Sequence, residues 1–350
     1  MKFGIFDYID RRNEPLSQTY DERMALIRAA EAAGFYGYHV TEHHVTPLSA
    51  TPSPSVYLAA VARETTRIRI GALLFLLPLY HPLRLIEELC MLDNLSGGRL
   101  DIGVGRGIAP PEFEAYGAQI EDSQEVFDEV FEILCKGFSE ERLNHHGKRF
   151  RFDHVPMVMR PAQRPHPPFW LGVRSEHGIA FAAARGMNIV TLGSNERVAA
   201  QLAAFREAWR TRSEERRDYR SPVEAPLMGA VRALFIADSD AEAERLARPA
   251  YQQWFDSLAW LWRDKGTSPP IALSQDFAAA RQAGSLVVGR PDTVRKQLMA
   301  QAQSCGYNYL VLQLAFGSLT HAQEMHSLKL FHAEVMPALA EIAEAEPVRP

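Results

Sequence analysis

Short apolar runs of β type alternate with longer helical patterns along almost the whole chain, and this alternation leaves few folds open. The runs fall at residues 3–6, 37–41, 68–77, 99–105, 169–173, 188–192, 229–237 and 309–314, and a helical pattern follows each. Met24, Ile27 and Ala30 share one face of the first helix, which Gly34 is placed to stop. Leu85, Leu89 and Leu92 share a face of the third, with Gly97-Gly98 at its end. From Ala72 onward the third run is apolar at consecutive positions, as a strand buried on both sides of a parallel sheet must be. Eight βα units in 350 residues fit a closed (β/α)₈ barrel. An open doubly wound sheet is the alternative, but it carries a glycine-rich loop after its first strand, where this chain has Asp7-Tyr8-Ile9-Asp10. The expectation is therefore a TIM barrel of a single domain over residues 1–350. Two stretches depart from its rhythm. Residues 142–160 read as a hairpin excursion, followed by a proline-rich connector at residues 160–168. An inserted segment near residues 240–290 is helical through Trp254, Trp260 and Trp262 to Asp264, then loop-like to Gly289.

Composition narrows the function classes. The chain is 47% hydrophobic and 23% charged, enough for a large core, and its formal charge of -5 with scattered basic residues gives no nucleic-acid footprint. Cys90, Cys135 and Cys305 are odd in number and far apart, which points to reduced thiols rather than a disulfide framework or metal site. Met1-Lys2-Phe3-Gly4 has no signal-peptide layout, and residues 73–80, the longest apolar stretch, are too few to cross a bilayer. A cytoplasmic protein with no membrane or nucleic-acid partner is expected.

Three places carry candidate chemistry. His43, within Glu42-His43-His44, closes the second strand, and α/β folds collect their catalytic groups beyond strand carboxyl ends. An imidazole there exchanges a proton near neutral pH, or it is a core histidine bonded to a neighbouring carbonyl. Glu42 and His44 either orient it or satisfy buried polar groups. A metal site in this triplet is not expected, because adjacent strand residues point to opposite faces and a third ligand is not evident. Arg106 follows the fourth strand in Gly103-Val104-Gly105-Arg106-Gly107, where glycines admit a ligand to the backbone and arginine can grip a phosphate with two hydrogen bonds. A surface arginine beside a tight turn is the plainer reading. Ser175 opens the helix after the fifth strand, and the amides of Glu176, His177 and Gly178 make either an ordinary capped helix start or an anion site.

Taken together, a series of motifs in fixed order resembles the bacterial luciferase-like flavin-dependent monooxygenases, nearly end to end. The carriers are Lys2-Phe3-Gly4-Ile5-Phe6, Glu42-His43-His44, Pro78-Leu79-Tyr80-His81-Pro82-Leu83-Arg84, Leu92-Asp93-Asn94-Leu95-Ser96-Gly97-Gly98-Arg99 and Gly103-Val104-Gly105-Arg106-Gly107. Pro161-Ala162-Gln163-Arg164-Pro165-His166-Pro167-Pro168 and Val288-Gly289-Arg290-Pro291-Asp292-Thr293-Val294 complete the series. The resemblance implies a barrel, commonly dimeric. It implies reduced FMN delivered by a separate flavin reductase, a flavin C4a-hydroperoxide formed with O₂, and oxygenation of a small organic substrate such as an aldehyde, ketone or hydrocarbon.

By the same resemblance, His43 matches the histidine that holds or deprotonates the flavin peroxide. Arg106 matches a phosphate-binding arginine, and Ser175 with the amides of His177 and Gly178 matches the rest of that phosphate site. Luciferase itself has a second phosphate arginine where Gln124 falls and a glutamate where Arg174 stands, so Arg174 is expected to supply the missing charge. Phe6 is expected near the isoalloxazine or the substrate, and Leu73-Leu74 at a non-proline cis peptide against the flavin. His44 and Phe75 are expected to line the substrate pocket, and Leu192 and Gly193 are weaker candidates for the flavin pocket. The tryptophans of the insertion either cap the mouth or serve helix packing. Two rivals stand: a deazaflavin-dependent hydride-transfer oxidoreductase on the same barrel, and a flavin-binding protein without turnover.

Overall fold

The computed structural model describes residues 1–212, 221–270 and 272–342. Its strands are β1 (Lys2–Asp7), β2 (Gly37–Val40), β3 (Arg69–Leu76), β4 (Leu100–Gly105), β5 (Arg142–His146), β6 (Arg151–Pro156), β7 (Phe169–Gly172), β8 (Asn188–Thr191), β9 (Met228–Ile236), β10 (Leu286–Gly289) and β11 (Tyr309–Gln313). Eight of them, in the order β1-β2-β3-β4-β7-β8-β9-β11, pair in parallel and close when β11 returns to β1. These are the eight runs read from the sequence. The excursion is an antiparallel hairpin of β5 and β6, as expected.

The inserted segment differs in its second half. Where a loop was expected, a helix at Phe277–Ala283 precedes β10, which pairs with β9 through Leu286 to Gly289. Asp276 caps that helix by accepting the Ala279 amide at 2.7 Å, and Gly284 ends it at φ 81°. Both elements are too short for a hydrophobic period to show in the sequence. Before them a helix of 25 residues, Asp240–Asp264, spans one edge of the barrel mouth.

Side chains sort by strand pleat. On β1, Phe3 and Ile5 enter the shell between barrel and helices, while Gly4 and Phe6 point inward. Gly4 must stay a glycine, because a Cβ there would lie 1.9 Å from the Tyr309 hydroxyl. That hydroxyl sits 2.7 Å from Nε2 of His39, which is fully buried beside Trp170. Burial pushes the His39 pKa down to about 3, so its ring is a neutral packing element at the barrel floor.

Below the mouth lies a buried charged cluster. Arg23 contacts Asp7 at 3.2 Å and Glu324 at 2.7 Å, Arg12 also pairs with Glu324, and Tyr38 donates to Asp7 at 3.0 Å. Burial pushes the neighbouring Asp10 up to about 7, against the pull of Arg12 and Arg23. With Asp10 protonated, two guanidinium groups balance two carboxylates. This cluster joins the end of β1 to helices Leu16–Ala32 and His321–Leu330 and so fixes the loop that carries Tyr8. No helix among the described residues is long and apolar enough to cross a membrane.

Candidate active site

The chain after β2 turns sharply at Val45, whose φ of 50° is costly for a β-branched residue, and it presents His43 at the mouth with 20% of its side chain exposed. Nδ1 of His43 lies 3.0 Å from Oε1 of Glu112, and the same oxygen accepts the His44 backbone amide at 2.9 Å. An ionised carboxylate can only accept, so the proton sits on Nδ1 of His43. Nε2 has no partner among the described residues and is left to work. Glu112 is itself 1% exposed and stands in the first turn of a helix at Pro110–Ala115 that the sequence reading left unassigned. The signals were Pro110 at the first helical position and an acid two residues on.

Of the two roles open to them, Glu42 and His44 satisfy buried polar groups rather than orient the His43 ring. Nε2 of His44 donates to Glu42 at 2.9 Å, and the Tyr116 hydroxyl donates to Nδ1 of His44 at 2.9 Å. Glu42 also accepts the Leu76 amide at 3.1 Å and the Tyr80 hydroxyl at 2.9 Å, while burial raises its pKa. This buried group braces the loop. His44 is 4% exposed with both ring nitrogens committed, so it backs the pocket and acts on His43 only through its backbone amide.

Tyr8 stacks on His43 with ring centroids 6.0 Å apart, and packs edge-on against Phe6 at 5.1 Å and Trp254 at 5.6 Å. Phe6 thus stands in the wall next to His43. Trp254 belongs to the long helix, whose Ser257 carbonyl accepts from Thr46 at 3.5 Å and whose Trp262 packs by Ala109. The insertion therefore covers the mouth with Trp254 and Trp262, while Trp260 is 45% exposed and faces away. The Leu73-Leu74 bond is cis, and both side chains join the inner cluster. A Cβ on Gly105 would lie 2.6 Å from Leu74, so the glycine after Val104 is what admits that side chain. Phe75 is a correction. The register between β3 and β4 shifts between Ala72 and Phe75, which turns Phe75, fully buried, into the helix-side core rather than the pocket.

At the same strand ends, Arg106 and Arg197 lie within electrostatic reach of Arg174. Arg106 is exposed after β4, and Arg174 follows β7 with its Nη2 donating to the Pro270 carbonyl at 2.6 Å. Arg197, which the sequence reading missed, donates from Nη2 to the Arg174 carbonyl at 3.2 Å. Burial first, then the charges of Arg197 and Arg106, lower the Arg174 pKa. None of the three has a carboxylate partner among the described residues. Ser175 beside them caps helix Glu176–Ala184, its hydroxyl accepting the Gly178 amide at 3.3 Å, so that amide serves the cap. Gln124 instead donates to Asp128 on its own helix at 3.1 Å. Gly193 takes a φ of 123°, and a Cβ there would crowd Arg197 at 2.9 Å. Among the described residues no group of three or more acidic, histidine or cysteine side chains is arranged to hold a metal.

A model of the family described as luciferase-like monooxygenase matches residues 1–308 of this chain. Among its relatives, the uncharacterized protein y4wF of Sinorhizobium fredii (strain NBRC 101917 / NGR234) is 35% identical over 96% of both chains. The oxygenase component of the flavin-dependent trigonelline monooxygenase of Acinetobacter baylyi is 26% identical, covering 97% of this chain and 96% of that one. The crystal structure of monooxygenase RslO1 from Streptomyces bottropensis superposes with a TM-score of 0.85 at 28% identity, covering 97% of this chain and all of that one. By sequence, fold and the order of its motifs, the chain belongs to the luciferase-like monooxygenase family.

Proposed function

We propose that this protein is a reduced-FMN-dependent monooxygenase acting on a small apolar organic substrate, with a flavin reductase as its partner and a homodimer as its assembly. The observation that carries this reading is the set Arg106, Arg174 and Arg197, gathered beside Ser175 with no carboxylate partner among the described residues, at the strand ends that also carry His43. Like charges repel unless an anion joins them, and a phosphate monoester suits that place. Leu73, Leu74 and Phe6 offer flat apolar walls between the two ends, so the residues present fit FMN. When bound, reduced FMN would supply the electrons that activate O₂, one atom of which enters the substrate. His43 would accept a hydrogen bond or a proton from an oxygen at Nε2, with Glu112 keeping the ring in one tautomer. Trp254, Tyr8 and the long helix would exclude water, which favours product over peroxide release.

Fluorescence titration tests the anion site. Arg106→Ala is expected to raise the FMN dissociation constant at least tenfold, about 1.4 kcal/mol; a change below about twofold removes Arg106 from the site. Arg174→Ala is expected to weaken reduced-FMN binding to a similar degree, and unchanged affinity would refute its replacing the arginine absent at Gln124. The reading as a whole is tested by O₂ uptake with reduced FMN against a panel of carbonyl compounds and hydrocarbons. Uptake without any oxygenated product across such a panel would count against it.

A further inference from the structure

A small cavity of about 20 Å³ lies between β9, β11 and the long helix, with Tyr8 as the wall it shares with His43. Two of its lining side chains carry buried N–H groups that no other group receives. The indole nitrogen of Trp254 and the side-chain amide nitrogen of Gln313 have no partner among the described residues, at 2% and 3% exposure. An indole N–H can only donate, and native interiors rarely leave such groups unpaired. Of the other polar lining side chains, the Tyr251 hydroxyl donates to the Ser274 carbonyl at 2.6 Å and Ser285 to the Ala280 carbonyl at 3.2 Å, while Tyr8 belongs to the wall on the His43 side. Val231, Ala233 and Leu192 make the rest of the wall apolar, and among the described residues no carboxylate, lysine, arginine or histidine lines it.

We propose that this cavity receives the uncharged carbonyl oxygen of the substrate, with Trp254 and Gln313 as its two donors. The volume suits a single water or one terminal oxygen, leaving the body of the molecule against Tyr8 and toward His43. A carboxylate is disfavoured because the pocket has no cation to offset its desolvation, and a saturated hydrocarbon would leave both donors unpaired. The substrate class is then a ketone, ester or amide rather than an alkane or an acid. This deepens the oxygenase reading and rests on it for the statement that the occupant is a substrate.

The test is calorimetric titration of the full-length, flavin-free protein with cyclic and medium-chain ketones and with their exomethylene counterparts, which keep the shape and lose the acceptor. Wild type is expected to bind the ketones at least about tenfold more tightly. In Gln313→Leu and Trp254→Phe the preference is expected to fall below about threefold, with exomethylene affinity unchanged. Gln313→Met serves if the leucine variant does not fold. Equal affinities in wild type, or a preference that survives in both variants, overturn the proposal. FMN titration is run separately, so a protein that takes ketones but no FMN defeats the flavin reading and leaves the donor pair standing.

Discussion

His43→Ala is expected to bind reduced FMN within about twofold of wild type and yet to return nearly all consumed O₂ as hydrogen peroxide. The ring stands at the mouth with Nδ1 fixed to Glu112 at 3.0 Å, and it touches none of the arginines assigned to the phosphate. Its removal therefore leaves the anchor intact and deletes the group placed to hold oxygen and take up its proton. Positioned acid–base groups contribute about 10²–10⁴-fold, so oxygenated product should fall about a hundredfold or more while O₂ uptake continues. Peroxide assay and product chromatography on one reaction read both quantities. Product yield that stays coupled to O₂ uptake would remove His43 from the chemistry.

The second large effect concerns folding. Arg23→Met is expected to lower unfolding free energy by about 3–5 kcal/mol, the usual cost of stranding buried charges. Arg23 is fully buried between Asp7 and Glu324, so its loss leaves those carboxylates with Arg12 alone and breaks the tie from β1 to two helices. Urea denaturation measures it. Arg23→Lys, which keeps the charge but loses the fork, should fall between the two. A loss below about 1 kcal/mol would show that the cluster does not hold the β1 loop. Because that loop carries Tyr8, His43 function should weaken in the same variants.

Most of the barrel was legible because its strands are apolar runs and its helices hold a face over several turns. His43, Arg106 and Ser175 stood out as chemistry-bearing residues at the carboxyl ends of those strands. Glu112 did not, since a helix of six residues shows no period and its partner lies 69 residues away. Arg197 read as one more charge on a helix, and only folding brings it to Arg174. Phe75 was placed in the pocket by resemblance, whereas β3 breaks register just before it and the side chain joins the helix-side core. Gln313 was not singled out, and Trp254 only as part of the insertion, because an unpaired donor becomes visible only when burial and partners are known.

The most direct test is to mix the protein, loaded with photoreduced FMN, with oxygenated buffer in a stopped-flow instrument and follow the appearance of hydrogen peroxide. Wild type should release peroxide at least about tenfold more slowly than free reduced FMN, and His43→Ala should lose that delay. Peroxide arriving as fast as from flavin in buffer, or no reduced FMN held at all, would contradict an oxygen-activating site built on His43 and the three arginines.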